Sequence, residues 1–98
     1  MVELDKLECF INEGLRLGAA QGYHPAVFIQ MRERWGTKGA MMQLVKSGDI
    51  QSGFRKMQDL GLIAWSVEAG VVKFHTLFSS EVRAAAQFRL DQLKAGET

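Results

Sequence analysis

Apolar residues recur at three- and four-residue steps along most of the chain, and glycines interrupt them where a helix would stop. Leu4, Leu7, Ile11, Leu15 and Gly18 form the first stripe, widened by Phe10 and Gly14, and predict an amphipathic helix from Glu3 to Leu17. Glu3 and Asp5 lie where negative charge suits the positive end of the helix dipole, and Gly18 and Gly22 are candidate stops. Cys9 falls about 140° around that helix from Leu4, on the polar side, and reads as an exposed thiol.

Pro25 suits the first position of a second helix, running to about Trp35, because its missing N–H has no partner there anyway. Phe28, Met31 and Trp35 are its expected inner face, flanked by Val27, with Gln30, Arg32, Glu33 and Arg34 mostly solvated. Gly36 ends it. Thr37 then caps a third helix through Lys46, with Ala40, Met41, Leu44 and Val45 inward and Gly48 as the left-handed stop. Asp49 opens a fourth, in which Ile50, Phe54 and Met57 share a face. Gly61 closes that helix, and Leu62 folds back on Met57 as in a Schellman ending.

Leu62 to Leu77 supports two readings. Ile63, Trp65 and Val67 alternate with Ala64, Ser66 and Glu68, and a turn at Ala69-Gly70 returns a strand through Val72 and Phe74 as a small β-ribbon. In the other reading Ser66 caps a short helix, with Glu68 in its first turn and Val67, Val71 and Phe74 on one face. The valines favour the ribbon and the Ala-Gly turn counts against it. Ser79 or Ser80 caps a last helix to about Ala95, with Val82, Ala85, Ala86, Leu90 and Leu93 inward and Phe88 well off that stripe. The expected fold is all-α, one compact domain of five to six short helices over residues 1–98. A winged helix-turn-helix with a ribbon at 63–77 is the alternative.

Composition adds limits. With 98 residues, 47% hydrophobic and 23% charged, the chain has the size and make-up of a single globular core. Twelve Lys and Arg against eleven Asp and Glu give a net charge of +1, so no global field draws it to phosphates or an anionic surface. The single cysteine rules out an intramolecular disulfide, in keeping with a reducing cytoplasm. Neither a secretory leader nor a run approaching the ~20 apolar residues of a membrane span is present, so a cytoplasmic location is expected.

Candidate chemistry is sparse. Cys9, His24 and His75 are the good nitrogen and sulfur donors, and no two have close helical spacing, which argues against a metal site. Cys9 has no nucleophile signature around it, and neither GxxxxGK[ST] nor GxGxxG occurs. No cofactor and no enzymatic activity are expected. His24 is expected to cap the helix that starts at Pro25, and His75 to lie at the edge of the core. Glu68 sits among Trp65, Val67, Val71 and Val72, where burial demands a partner: backbone N–H groups at a helix start, or Arg55 or Lys56. In a functional version it shares a cleft with Trp65 and His75.

Two resemblances bear on the segment from Gly53 to Phe78. RKMQDLGLI, Arg55 to Ile63, resembles the end of the recognition helix and the strand entry of bacterial winged helix-turn-helix regulators. That resemblance implies a first helix at Lys38 to Ser47, a recognition helix at Ile50 to Leu60 and a wing at Ile63 to Leu77. The succession GYHPAVFIQM, SGF, LGLI, SVEAGVV and LFSSE is similar to a small helical module of bacterial proteins without assigned function. Gly22, Tyr23, Pro25, Phe28, Gly53, Phe54, Leu60, Gly61, Ser66, Glu68, Leu77 and Phe78 carry the match. It implies an all-helical fold and no particular activity.

Two functional expectations follow. The first is a small interaction module, binding a protein partner or a second copy of itself through Trp65, Phe88 and Met42. The second is a nucleic-acid-binding module. Arg32, Arg34, Lys38, Lys46, Arg55 and Lys56 lie on consecutive helices with Trp35 among them, and Lys38, Lys46, Gln51, Arg55 and Lys56 are its candidate contacts.

Overall fold

Glycine stops and serine caps divide the chain into helices much as the pattern predicts. A computed structural model describes residues 2–47 and 52–96, and these form five α-helices and two single 3₁₀ turns, with no strand among them. The helices are α1 (Glu3–Ala20), α2 (Ala26–Lys46), α3 (Ser52–Asp59), α4 (Val67–Lys73) and α5 (Ser80–Gly96). The 3₁₀ turns, Ile63–Trp65 and His75–Leu77, flank α4. The expected roles of Gly48, Asp49 and Ile50 lie outside the described residues.

Gly36 breaks α2. Its φ of 77° and ψ of 171° belong to a region populated essentially by glycine, so α2 runs as two helical halves with different facing directions. Thr37 does not cap the second half. It is buried instead, and its Oγ1 accepts a hydrogen bond from Arg32 Nε at 2.7 Å. Arg32 also donates to Glu8 Oε2 at 2.6 Å, tying α2 to α1, so it is not the solvated residue that the pattern implied.

Gly61, at φ 73°, ends α3 in a Schellman motif. Leu62 N donates to Met57 O at 2.8 Å and Gly61 N to Gln58 O at 3.0 Å, which satisfies carbonyls that the helix leaves unpaired.

The segment 63–77 is helical, which overturns the ribbon and with it the winged alternative. Ser66 Oγ accepts from Ala69 N at 3.1 Å, Glu68 occupies the first turn, and Val71 and Phe74 are buried. Gly70 sits inside α4 for a packing reason. A Cβ there would lie 3.0 Å from both Met41 Cε and Phe10 Cε1, so the missing methyl lets α4 press onto α1 and α2. The valines that favoured a strand meet a buried surface that serves a helix equally well.

Leu7, Phe10, Ile11, Phe28, Ala40, Met41, Val45, Val71, Phe74, Phe78, Val82 and Ala86 form one buried cluster. α4 lies at its centre, packing on α5, α2 and α1. Ser79 caps α5, accepting from Val82 N at 3.3 Å. Two expected inner residues are outside the core. Leu4 is 47% exposed, in a first turn whose neighbours from Val2 to Lys6 are all exposed, and Trp35 is 48% exposed at the Gly36 break. Arg34 lies over the Trp35 ring, with its guanidinium carbon 5.1 Å from the ring centroid.

One buried ion pair was not anticipated with its true partner. Glu68 is 2% exposed and accepts from Arg89 Nη1 of α5 at 2.6 Å, while Arg89 Nη2 donates to Ser47 O at 2.5 Å. Arg55 and Lys56, the expected partners, are exposed on α3. Among the described residues, no buried side-chain nitrogen or oxygen is left without a hydrogen bond.

Candidate functional site: an apolar cleft between α1, α2 and α3

A half-open cleft of about 300 Å³ lies between α1, the Tyr23–Pro25 loop, α2, α3 and the first 3₁₀ turn. Its walls follow from how short elements meet. α1 contributes Ile11, Gly14, Leu15 and Gly18, and α2 contributes Ala26, Val27, Phe28 and Leu44. α3 supplies Phe54 and Met57, the half-buried residues of its apolar face, beside Gly53. Trp65 stacks on Phe10 with ring centroids 5.1 Å apart and 25° between planes, and also lines the cleft.

Glycines bring the walls together. A Cβ at Gly14 would stand 2.9 Å from Trp65 O, so α1 and the 3₁₀ turn touch through main chain. At Gly18 a Cβ would lie 3.5 Å from the Tyr23 ring, and at Gly53 one would lie 3.3 Å from the Tyr23 hydroxyl. Tyr23 is therefore wedged between α1 and α3. Burial pushes its pKa up, so the hydroxyl keeps its proton as a donor.

Polar groups on the cleft are few. Ser66 is satisfied, its Oγ donating to Ile63 O at 2.7 Å and accepting from Ala69 N. Glu68 lines the cleft, and Arg89 balances its charge. The Tyr23 hydroxyl has no hydrogen-bond partner among the described residues, and His24 is exposed beside it. His24 does not cap α2: Pro25 occupies the N-cap position without a side-chain hydrogen bond.

The expected site residues separate. Trp65 lines the cleft, whereas Phe88 stands 63% exposed on α5. Met42 is not leftover surface, because it is half-buried and packs on the core. His75 is exposed on the second 3₁₀ turn, between the buried Phe74 and Phe78, and it does not join Trp65 and Glu68 at the cleft. Lys38 and Lys46 are exposed on the second half of α2, and Arg55 and Lys56 on α3, with no carboxylate paired to any of them among the described residues. Gln51 lies outside the described residues. Arg32 leaves the basic group for its pair with Glu8.

Sequence reasoning missed the cleft and Tyr23's place in it. The signal was the spacing of Gly14 and Gly18, one helical turn apart on an otherwise apolar stripe, which marks a surface built for close approach. Among the described residues, no group of three or more His, Cys, Asp or Glu stands close enough to hold a metal, and no helix is long and apolar enough to cross a membrane. Neither a family model, nor a curated protein, nor a solved structure matches this chain.

Proposed function

We propose that this chain is a small cytoplasmic interaction module that seats an apolar side chain of a protein partner in the cleft, and that it binds rather than catalyses. The observation that carries this reading is continuity of apolar surface. Val27 lines the cleft and is also 58% exposed, so the apolar lining runs out onto the rim, where an entering group would bury it. Trp65 supplies a rigid aromatic wall, the kind of residue on which binding energy concentrates. Peptides selected from a random library on the immobilised domain test the reading. Selected binders should lose affinity when Ala26→Trp fills the cleft, and binders indifferent to that change would overturn it.

A second reading, nucleic-acid binding, rests on Lys38, Lys46, Arg55 and Lys56. All four are exposed and unpaired among the described residues, as phosphate contacts must be. Self-association, the other form of the leading reading, rests on Phe88, a large aromatic left exposed on α5.

A further inference from the structure

Gly36 divides more than α2. Leu7, Phe10, Ile11 and Phe28 reach the buried cluster from the chain before it, and the rest of the cluster comes from the chain after it. Among the described residues every ion pair stays on one side: Glu3 with Lys6, Glu13 with Arg16 and Glu8 with Arg32 before Gly36, and Glu68 with Arg89 after it. Apolar packing and hydrogen bonds join the two sides. Phe10 stacks on Trp65 at 5.1 Å and meets Phe74 edge-on at 5.7 Å, Gln21 Nε2 donates to Leu60 O at 3.2 Å, and Arg32 Nε donates to Thr37 Oγ1. Two segments, each with its own charges paired, thus meet along a largely apolar seam and are connected through one glycine.

We infer that Gly36 is the hinge of a domain exchange, in which α2 straightens into one continuous helix and the segment before Gly36 packs on the segment after Gly36 of a second copy of this chain. This does not depend on what the cleft binds. Three features converge on it. At φ 77° and ψ 171° the hinge holds a backbone conformation that a helical α2 would release. No loop separates the two halves of α2, so a helical residue 36 carries the segments apart, and short strained hinges favour exchange between copies. Each seam contact can be made again between the copies, so association returns what opening removes. The cleft then becomes a shared site, with Ile11, Gly14 and Val27 from one copy and Leu44, Phe54 and Trp65 from the other.

Alanine at position 36 disfavours the bent backbone and favours the helix, and a dimer contains two hinges. Gly36→Ala should therefore tighten dimerisation by on the order of a hundredfold in sedimentation equilibrium, about tenfold for each hinge, and Phe88→Asp should leave that dimer intact. In dimers refolded from an equal mixture of 13C-labelled and unlabelled chains, isotope-filtered spectra should show the Phe10 ring of one copy against the Phe74 ring of the other. Wild type refolded from urea at millimolar concentration should yield a smaller fraction of the same dimer, and its absence there overturns the inference whether or not Gly36→Ala folds. A Gly36→Ala chain that folds and stays monomeric at millimolar concentration also overturns it. So does a dimer in which the Phe10–Phe74 contact stays within one chain; loss of that dimer on Phe88→Asp would uphold surface self-association instead.

Discussion

Arg89 of α5 reaches across to Glu68 of α4 with a 2.6 Å hydrogen bond, and both side chains are almost removed from water. The same guanidinium holds Ser47 O at the end of α2, so one cation joins three helices. Removing it leaves a buried carboxylate alone. Arg89→Met should therefore destabilise by about 3–5 kcal/mol in urea unfolding. The double variant Glu68→Leu/Arg89→Met should recover most of that loss, since no uncompensated charge remains. Equal losses in single and double variants would show that the pair does not act as a unit.

Glu8 should make stability depend on acid. The Thr37 side chain lowers its carboxyl most, burial opposes this with the next largest effect, and the hydrogen bond and charge of Arg32 add to the lowering, so the carboxyl lies below the ordinary glutamate value. A depressed folded pKa means that the folded state binds the proton less readily than the unfolded one. The stabilisation is then complete above the ordinary value of about 4.3 and is lost as pH falls through the lower folded value. Glu8's side chain is 41% exposed, so solvent screening keeps the contribution under about 1 kcal/mol. Melting temperatures of the wild type and Glu8→Gln should differ at pH 7 and converge in acid.

Gly36 and Gly61 should tolerate alanine unequally. At Gly61 the left-handed conformation costs an alanine about 1–2 kcal/mol. Gly36 combines φ 77° with ψ 171°, where a Cβ is tolerated far less, and about 1–3 kcal/mol is expected. Neither position has a heavy atom within 4 Å of a built Cβ, so backbone strain alone sets the loss. Thermal unfolding of Gly36→Ala and Gly61→Ala measures the order.

Phe88 gives the self-association version a simple test. Light scattering on a size-exclusion column should show mass rising with concentration in the wild type and constant in Phe88→Asp. A wild type that stays monomeric across concentrations removes this version.

Fluorescence anisotropy with random duplex and single-stranded DNA tests the nucleic-acid reading. Affinity should fall steeply with salt and weaken when Lys46, Arg55 and Lys56 are changed to glutamine, because each phosphate contact releases counterions. Absence of binding at low salt counts against it.

Much of the fold was legible because it is written in local chemistry. Gly36, Gly61 and Ser79 each act on their own few neighbours, and helix boundaries followed from them, whereas at Ser66 a helix cap and a β-ribbon stood as open alternatives. Contacts between distant segments were less legible. Nothing at Arg32 announces Glu8, and nothing at Glu68 singles out Arg89 over Arg55, since the choice depends on which helix packs against α4. Trp35 and Leu4 follow the apolar spacing faithfully and still face solvent, because a stripe marks a direction and not the presence of a neighbour. The candidate site was the least legible part, assembled as it is from a few residues of every element from α1 to α4.

The main-chain meeting of Gly14 with Trp65 O has a bearing on how such a domain diversifies. Where two walls are spaced by backbone, residues that merely face the gap, such as Leu15, Val27 or Met57, are at liberty to change size without moving the frame. A gene carrying this scaffold can thus alter the shape of the cleft through a few lining codons, while the pair at positions 14 and 65 keeps the aperture constant.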